Sequence, residues 1–260
     1  MSASEGSSRL VIEGAVAKVV FDRPAARNAM TWAMYQQLAA ICDQVAKDPD
    51  VRVLCLRGAG GEAFVAGTDI EQFKEFSDGE DGVAYELRID ECMARLEGLS
   101  IPTVAVIEGW CVGGGLAIAS ACDVRIATPT ARLGVPIART LGNCLSMGNI
   151  ARLVALFGHP RVQRMLVGAE ILSAEEALAC GYLAQVVPAA ELEASAQALC
   201  ARLASYAPIT QAVTKEALRR MLLQQLPDVE DLIRQTYGSE DFREGVRAFT
   251  QKRSPVWRGR

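Results

Sequence analysis

"CVGGGLAIASACD", residues 111–123, places three consecutive glycines where an apolar, strand-like run ends and a helix of small residues begins. A helix that starts at a glycine turn presents unpaired backbone N–H groups, and the positive end of its dipole, to an anion. The spacing is not G-x-G-x-x-G and no G-K-[ST] follows, so the stretch is neither a dinucleotide fingerprint nor a P-loop. Two readings stay open on these residues alone. Small residues let a helix lie close on a sheet, and they also let a ligand oxygen approach the backbone.

"GEAFVAGTDIEQF", residues 61–73, is a second glycine loop at a strand end that opens a helix, with Asp69 suited to its first turn. Two such loops at one sheet edge aim two N–H groups at one oxygen, the arrangement that stabilises an enolate or a tetrahedral oxyanion.

Around these loops the pattern alternates. "AVAKVVFDRP" reads as a strand, "TWAMYQQLAAICDQVAKD" as a helix with Thr31 as N-cap, and "VRVLCLRGAG" as a buried strand. Polar helical sequence from about Asp69 to Glu97, the strand "PTVAVIEG", the glycine turn and the strand "DVRIAT" continue the series. This alternation predicts an α/β layer architecture with a mostly parallel sheet. Beyond Gly134 the texture turns helical, with a capping box predicted at Ser173 and Glu176. We divide the chain near Ala190 to Ala207, giving an α/β core over residues 1–200 and a helical region over 201–260.

Composition narrows the function. The 27 basic and 31 acidic residues leave a net charge of −4, with no Lys/Arg block, which argues against a nucleic-acid surface. No stretch has the length of a membrane span, and "MSASEGSS" reads as a loose N-terminal arm of a soluble, cytoplasmic protein. Eight scattered cysteines without a C-x-x-C pair, beside a single histidine, read as reduced core thiols rather than a metal site.

The chain resembles the crotonase, or enoyl-CoA hydratase/isomerase, superfamily. The resemblance is carried by "FDRPAARNAM" (21–30), "AFVAGTDI" (63–70), "IPTVAVIEGWCVGGGLAIASACDVRIAT" (101–128) and "SEDFREGVRAFTQKRSPVW" (239–257). It implies an α/β spiral of ββα turns, a helical C-terminal region used in trimerisation, and a homotrimer or a hexamer built as a dimer of trimers. The ligand it implies is an acyl-CoA thioester, with coenzyme A part of the substrate and no separate cofactor or metal. The family's oxyanion hole maps to the N–H groups of Thr68 and Gly114. Its CoA contacts map to Ala25, Ala26 and Arg27, to Ala66, Gly67, Asp69 and Ile70, and to Phe249 and Lys252. For Arg27 and Lys252 a solvated surface charge is the competing reading.

Hydratases of this family carry two glutamates, one three residues after the oxyanion glycine and one after the proline of a G-x-P-E stretch. The matching positions here hold Ala117 and Ile137, and from Val124 to Ala169 there is no Asp or Glu at all. An apolar side chain moves no proton. Some relatives place a carboxylate about eight residues past the second position, where this chain reads "NCLSMGN". Asn143, Cys144 and Ser146 are therefore pocket candidates, with Arg139 a forked donor for a substrate carboxylate; Ser146 equally suits a helix N-cap. Tyr85, Glu86, Asp90 and Glu91, on the preceding polar helix, are the other candidates, against a solvated helix face. His159, before Pro160, reads as a turn or cap residue.

The expectation is an acyl-CoA-processing enzyme that stabilises an enolate, with hydration or double-bond isomerisation as the default. A malonyl-type decarboxylase and a non-catalytic acyl-CoA carrier are the alternatives. Loss of CO2 generates the enolate without a base, and a carrier needs no proton transfer.

Overall fold

The computed structural model describes residues 6–260. Residues 1–5 of the expected N-terminal arm lie outside the described residues, whereas Ser7 and Ser8 already belong to the first strand. β1 (Ser7–Glu13) and β2 (Val16–Asp22) form an antiparallel hairpin. α1 (Trp32–Val45) follows, capped as predicted by Thr31, whose side chain accepts the Met34 N–H.

Three strand–strand–helix turns come next. β3 (Val53–Gly58) and β4 (Ala63–Val65) lead to α2 (Gly79–Glu97); β5 (Thr103–Ile107) and β6 (Trp110–Val112) lead to α3 (Gly114–Ala121). β7 (Val124–Ala127) and β8 (Arg132–Gly134) lead to α4 (Ile137–Thr140), α5 (Met147–Phe157) and α6 (His159–Leu166). The chain then makes β9 (Ile171–Ser173), α7 (Ala174–Ala179) and β10 (Gln185–Val186). Four helices close it: α8 (Ala189–Ala204), α9 (Pro208–Leu223), α10 (Glu230–Tyr237) and α11 (Glu240–Thr250).

In each turn the two strands enter different sheets. One sheet has the order β1-β2-β3-β5-β7-β10 and is parallel apart from the β1/β2 pair. The other has the order β4-β6-β8-β9, with only β8/β9 antiparallel. The mainly parallel sheet predicted from the alternation is therefore two sheets, because short connections after β3, β5 and β7, with Gly60 and Gly61 in the first, Gly109 in the second and Pro129 in the third, redirect the chain after a few residues.

The central strands β3 and β5 of the larger sheet are largely apolar on both faces, as buried parallel strands are. Leu54, Leu56, Ala105 and Ile107 face the main core, while Val53, Cys55, Val104, Val106 and Ile126 form a second core with Leu192, Ala196, Leu199 and Cys200 of α8. α10 and α11 return to the first core through Ile233, Tyr237, Phe242 and Val246. α9 buries no residue, and Ile209, Val213 and Met221 stand 78%, 64% and 73% exposed on it.

Two local expectations need correction. The helix predicted from Asp69 to Glu97 is a short 3-10 turn, Ile70–Phe73, followed by α2, because Asp78 and Asp81 build a capping box that starts a new helix. Of the capping box predicted at Ser173 and Glu176 only one half forms: the Ser173 side chain accepts the Glu176 N–H and caps α7, while the Glu176 carboxylate pairs with Arg164 instead. Among the described residues no helix is long and apolar enough to cross a membrane.

Candidate active site

The three parallel strands of the smaller sheet end side by side, and each hands its chain to a loop: Ala66–Thr68 after β4, Gly113 and Gly114 after β6, and Val135–Ile137 after β8. The carboxyl edge of parallel strands is where open α/β sheets place ligands.

The loop after β4 is laced to the chain before α1. Arg27 O accepts the Ala66 N–H at 3.0 Å, Gly67 O accepts the Met30 N–H at 2.9 Å, and Met30 O accepts the Asp69 N–H at 2.8 Å. Behind the lacing stands Asn28, fully buried. Its Oδ1 accepts the Arg23 N–H at 2.9 Å and its Nδ2 donates to the Ala59 and Ala63 carbonyls at 2.8 Å each. This brings the predicted CoA segments, Ala25 to Arg27 and Ala66 to Ile70, together. Asp69 pairs with Arg23 at 2.9 Å and caps the 3-10 turn. Arg27 is largely solvated, 4.0 Å from Glu62.

The glycine triplet now has a physical account. Gly113, with φ 53° and ψ −122°, has a backbone that side chains rarely tolerate. A Cβ on Gly115 would stand 2.0 Å from the Val65 carbonyl oxygen of β4, so this glycine serves helix-on-sheet packing. A Cβ on Gly114 would stand 2.3 Å from the Tyr35 hydroxyl and 3.7 Å from the Thr68 nitrogen. The packing reading of the triplet thus holds at Gly115, while Gly114 borders the Tyr35 hydroxyl and the Thr68 backbone. The Thr68 and Gly114 backbones are neighbours, and neither N–H is given to a backbone or side-chain acceptor among the described residues. The positive end of α3 adds to the donor field at this spot.

Ala117 is buried on α3, and Ile137 is half-buried at the start of α4. Two further carboxylates, Glu86 and Asp90, come from α2. Glu86, 3% exposed, accepts the Tyr237 hydroxyl at 2.7 Å and the Ser146 N–H at 2.8 Å, and burial pushes its carboxyl up to about 7. Asp90 accepts the Ser146 hydroxyl at 2.8 Å, and burial raises it as well. Arg152 holds Glu97 through two bonds of 2.8 and 3.0 Å. Glu91 lies on the exposed face of α2, as a solvated charge would.

The remaining predicted residues separate. Ser146 is the N-cap of α5, accepting the Asn149 N–H, and is buried within the Glu86–Asp90 network. Asn143 Nδ2 donates to the Tyr237 hydroxyl at 3.2 Å, while its Oδ1 is buried without a partner. Burial pushes the Cys144 thiol up to about 11, so it is no thiolate at neutral pH. Arg139 is exposed on α4, and His159 is exposed at the start of α6. Phe249 is 52% exposed in the last turn of α11, and Lys252 is exposed beyond it.

Sequence reasoning passed over Asn28, Tyr35 and Tyr237. Tyr35 had a usable signal: it sits on the apolar face of α1, where a buried hydroxyl requires a partner.

Comparison with known proteins gives the family. The family model described as Enoyl-CoA hydratase/isomerase matches residues 11–260. A short-chain-enoyl-CoA hydratase of Clostridium acetobutylicum is 31% identical over 245 residues, 93% of each chain. An enoyl-CoA hydratase/carnithine racemase structure from Magnetospirillum magneticum superposes with a TM-score of 0.79 at 30% identity, covering 98% of both chains. A methylmalonyl-CoA decarboxylase in complex with 2-nitronate-propionyl-CoA superposes with a TM-score of 0.89 at 26% identity, covering 98% of this chain and 99% of that one.

Proposed function

The chain belongs to the enoyl-CoA hydratase/isomerase family, and we propose that it holds an acyl-CoA thioester with its carbonyl oxygen between the Thr68 and Gly114 N–H groups and stabilises the enolate. It is an enzyme of that family, with the crotonase-like α/β fold and an acyl-CoA thioester as its class of substrate. The observation that carries the enolate reading is the approach of the two glycine loops, with two unengaged backbone donors side by side. Fixed donors aimed at developing charge cost no reorganisation during the reaction.

In this reading Ala117 and Ile137 leave the usual pair of carboxylates unfilled, and Glu86 is the proton carrier. Its position near neutrality lets it both take and return a proton at ordinary pH. One carboxylate suits movement of a proton along the acyl chain better than addition of water, which uses two.

A second reading is favoured by the higher TM-score to the decarboxylase than to the hydratase/racemase structure. Loss of CO2 from a malonyl-type ester creates the enolate directly, and Glu86 then needs only to protonate it. Arg139 is the available cation for the departing carboxylate. The trimer or hexamer implied by the resemblance would use the exposed stripe of α9.

The test is incubation of catalytic amounts of protein with enoyl-, β-hydroxyacyl-, malonyl-type and saturated CoA esters, followed by mass and isomer analysis. Isomerisation without mass change supports the first reading, and loss of CO2 the second. Hydration at full rate in a Glu86→Gln variant overturns the single-carboxylate assignment. Stoichiometric binding of every ester with no conversion overturns the enolate reading.

A further inference from the structure

Three hydroxyls meet beside the oxyanion loops. Thr68 Oγ1 lies 2.9 Å from the Tyr35 hydroxyl and 3.0 Å from the Tyr85 hydroxyl. The two tyrosines are 3% and 7% exposed. No other hydrogen-bond partner of any of the three hydroxyls exists among the described residues.

Proton counting then becomes decisive. Each hydroxyl carries one proton, and the two contacts use two of the three. The proton left over falls on Tyr85, Thr68 or Tyr35. On Tyr85 it would be enclosed by rings: Trp32, Phe73, Phe76 and Tyr237 have centroids 5.0 to 6.1 Å from that ring, and a buried hydroxyl proton without an acceptor is costly. The other two places both border Gly114, since a Cβ there would stand 2.3 Å from the Tyr35 hydroxyl and 3.0 Å from Thr68 Oγ1. In the order Tyr85 to Thr68 to Tyr35, Thr68 both donates and accepts, and each bond polarises the next.

Resting on the assignment of the thioester oxygen to the Thr68 and Gly114 N–H groups, we infer that the Tyr35 hydroxyl is a third donor to that oxygen, fed by the Thr68 and Tyr85 hydroxyls. The position of Tyr35 on α1, one turn after the Thr31 cap, fixes the hydroxyl before ligand arrives. Burial raises both tyrosines, so they act as donors and not as bases. The arrangement favours charge on the carbonyl oxygen over the neutral ground state, because a hydrogen bond to a charged group is the stronger.

The experiment uses the full-length protein and hexanoyl-CoA labelled with 13C at the thioester carbonyl, with the bound carbonyl resonance as readout. In the wild type the resonance moves downfield on binding. Tyr35→Phe is expected to lose a clear part of that movement and to weaken binding by up to about tenfold, the effect of one hydrogen bond to a neutral oxygen. Tyr85→Phe, which leaves Tyr35 free to donate, is expected to keep most of the movement. A wild-type shift that survives intact in a folded Tyr35→Phe variant overturns the inference and leaves the two backbone donors standing. Loss of the shift in Tyr85→Phe as large as in Tyr35→Phe also overturns it, since the outward donor would then be Tyr85. A wild type that binds the ester without any shift defeats the oxyanion assignment itself, and this inference with it.

Discussion

The Tyr237 hydroxyl, on α10, donates to Glu86 on α2 at 2.7 Å, so a C-terminal helix helps hold a carboxylate whose charge state changes near neutral pH. Glu86 receives a second bond from the Ser146 N–H, yet burial outweighs both and keeps the proton bound to higher pH.

Stability is expected to respond in a definite direction. The folded protein holds this proton up to about pH 7, while an unfolded carboxyl loses it near 4.5, so the native state binds more protons between those values. Stability therefore falls as pH rises from about 4.5 to about 7, by a total on the order of 3 kcal/mol from Glu86. Asp90, raised in the same sense, adds to the slope. Urea melts from pH 4.5 to 8 test this. Glu86→Gln should flatten most of the slope, and an unchanged profile in that variant would show that Glu86 ionises freely in the native state.

Gly114→Val is expected to abolish acyl-CoA binding at the loop and to destabilise the protein. Its Cβ alone would overlap the Tyr35 hydroxyl, and the branch adds bulk beside the Thr68 N–H. Combining it with Tyr35→Phe should recover stability without recovering binding. Calorimetric titration with a CoA ester separates the two effects, and wild-type affinity in a folded Gly114→Val would remove this glycine from the site.

Asn28→Ala is expected to cost about 3 kcal/mol, because three buried or half-buried backbone groups lose their partner at once. Asn28 also holds φ at 58°, a conformation that alanine adopts poorly. Thermal melts give the stability. Faster proteolysis within residues 22–30 or 59–69 would locate the loosening, and a melting temperature unchanged from wild type would contradict the role assigned to this side chain.

The proposed trimer or hexamer is expected to depend on α9. Ile209, Val213, Ala217 and Met221 follow one another every four residues and are all exposed, which places them on one helix face. Val213→Glu with Met221→Glu should lower the sedimentation coefficient while the circular dichroism spectrum stays the same. Deletion after Ser239 is a less informative variant, because Phe242 and Val246 belong to the core and their removal unfolds more than an interface.

Local signals in the sequence were enough for most of the elements and for the two glycine loops of the candidate site. Thr31, Ser146 and Ser173 cap the helices they precede, since a side-chain oxygen and an N–H two or three residues on meet wherever the chain turns into a helix. The two glycine loops are visible because left-handed backbone and close approach demand glycine locally. Which glycine serves packing and which borders the proposed oxyanion site depends on distant contacts, with Val65 at Gly115 and Tyr35 at Gly114. The charges followed the same division. Ala117 and Ile137 are plain in the sequence, but Glu86 looks like any glutamate on a polar helix until Tyr237, 151 residues away, covers it and burial shifts its ionisation. Desolvation and proton counting depend on what surrounds a group in space, and only the tertiary fold supplies that surrounding.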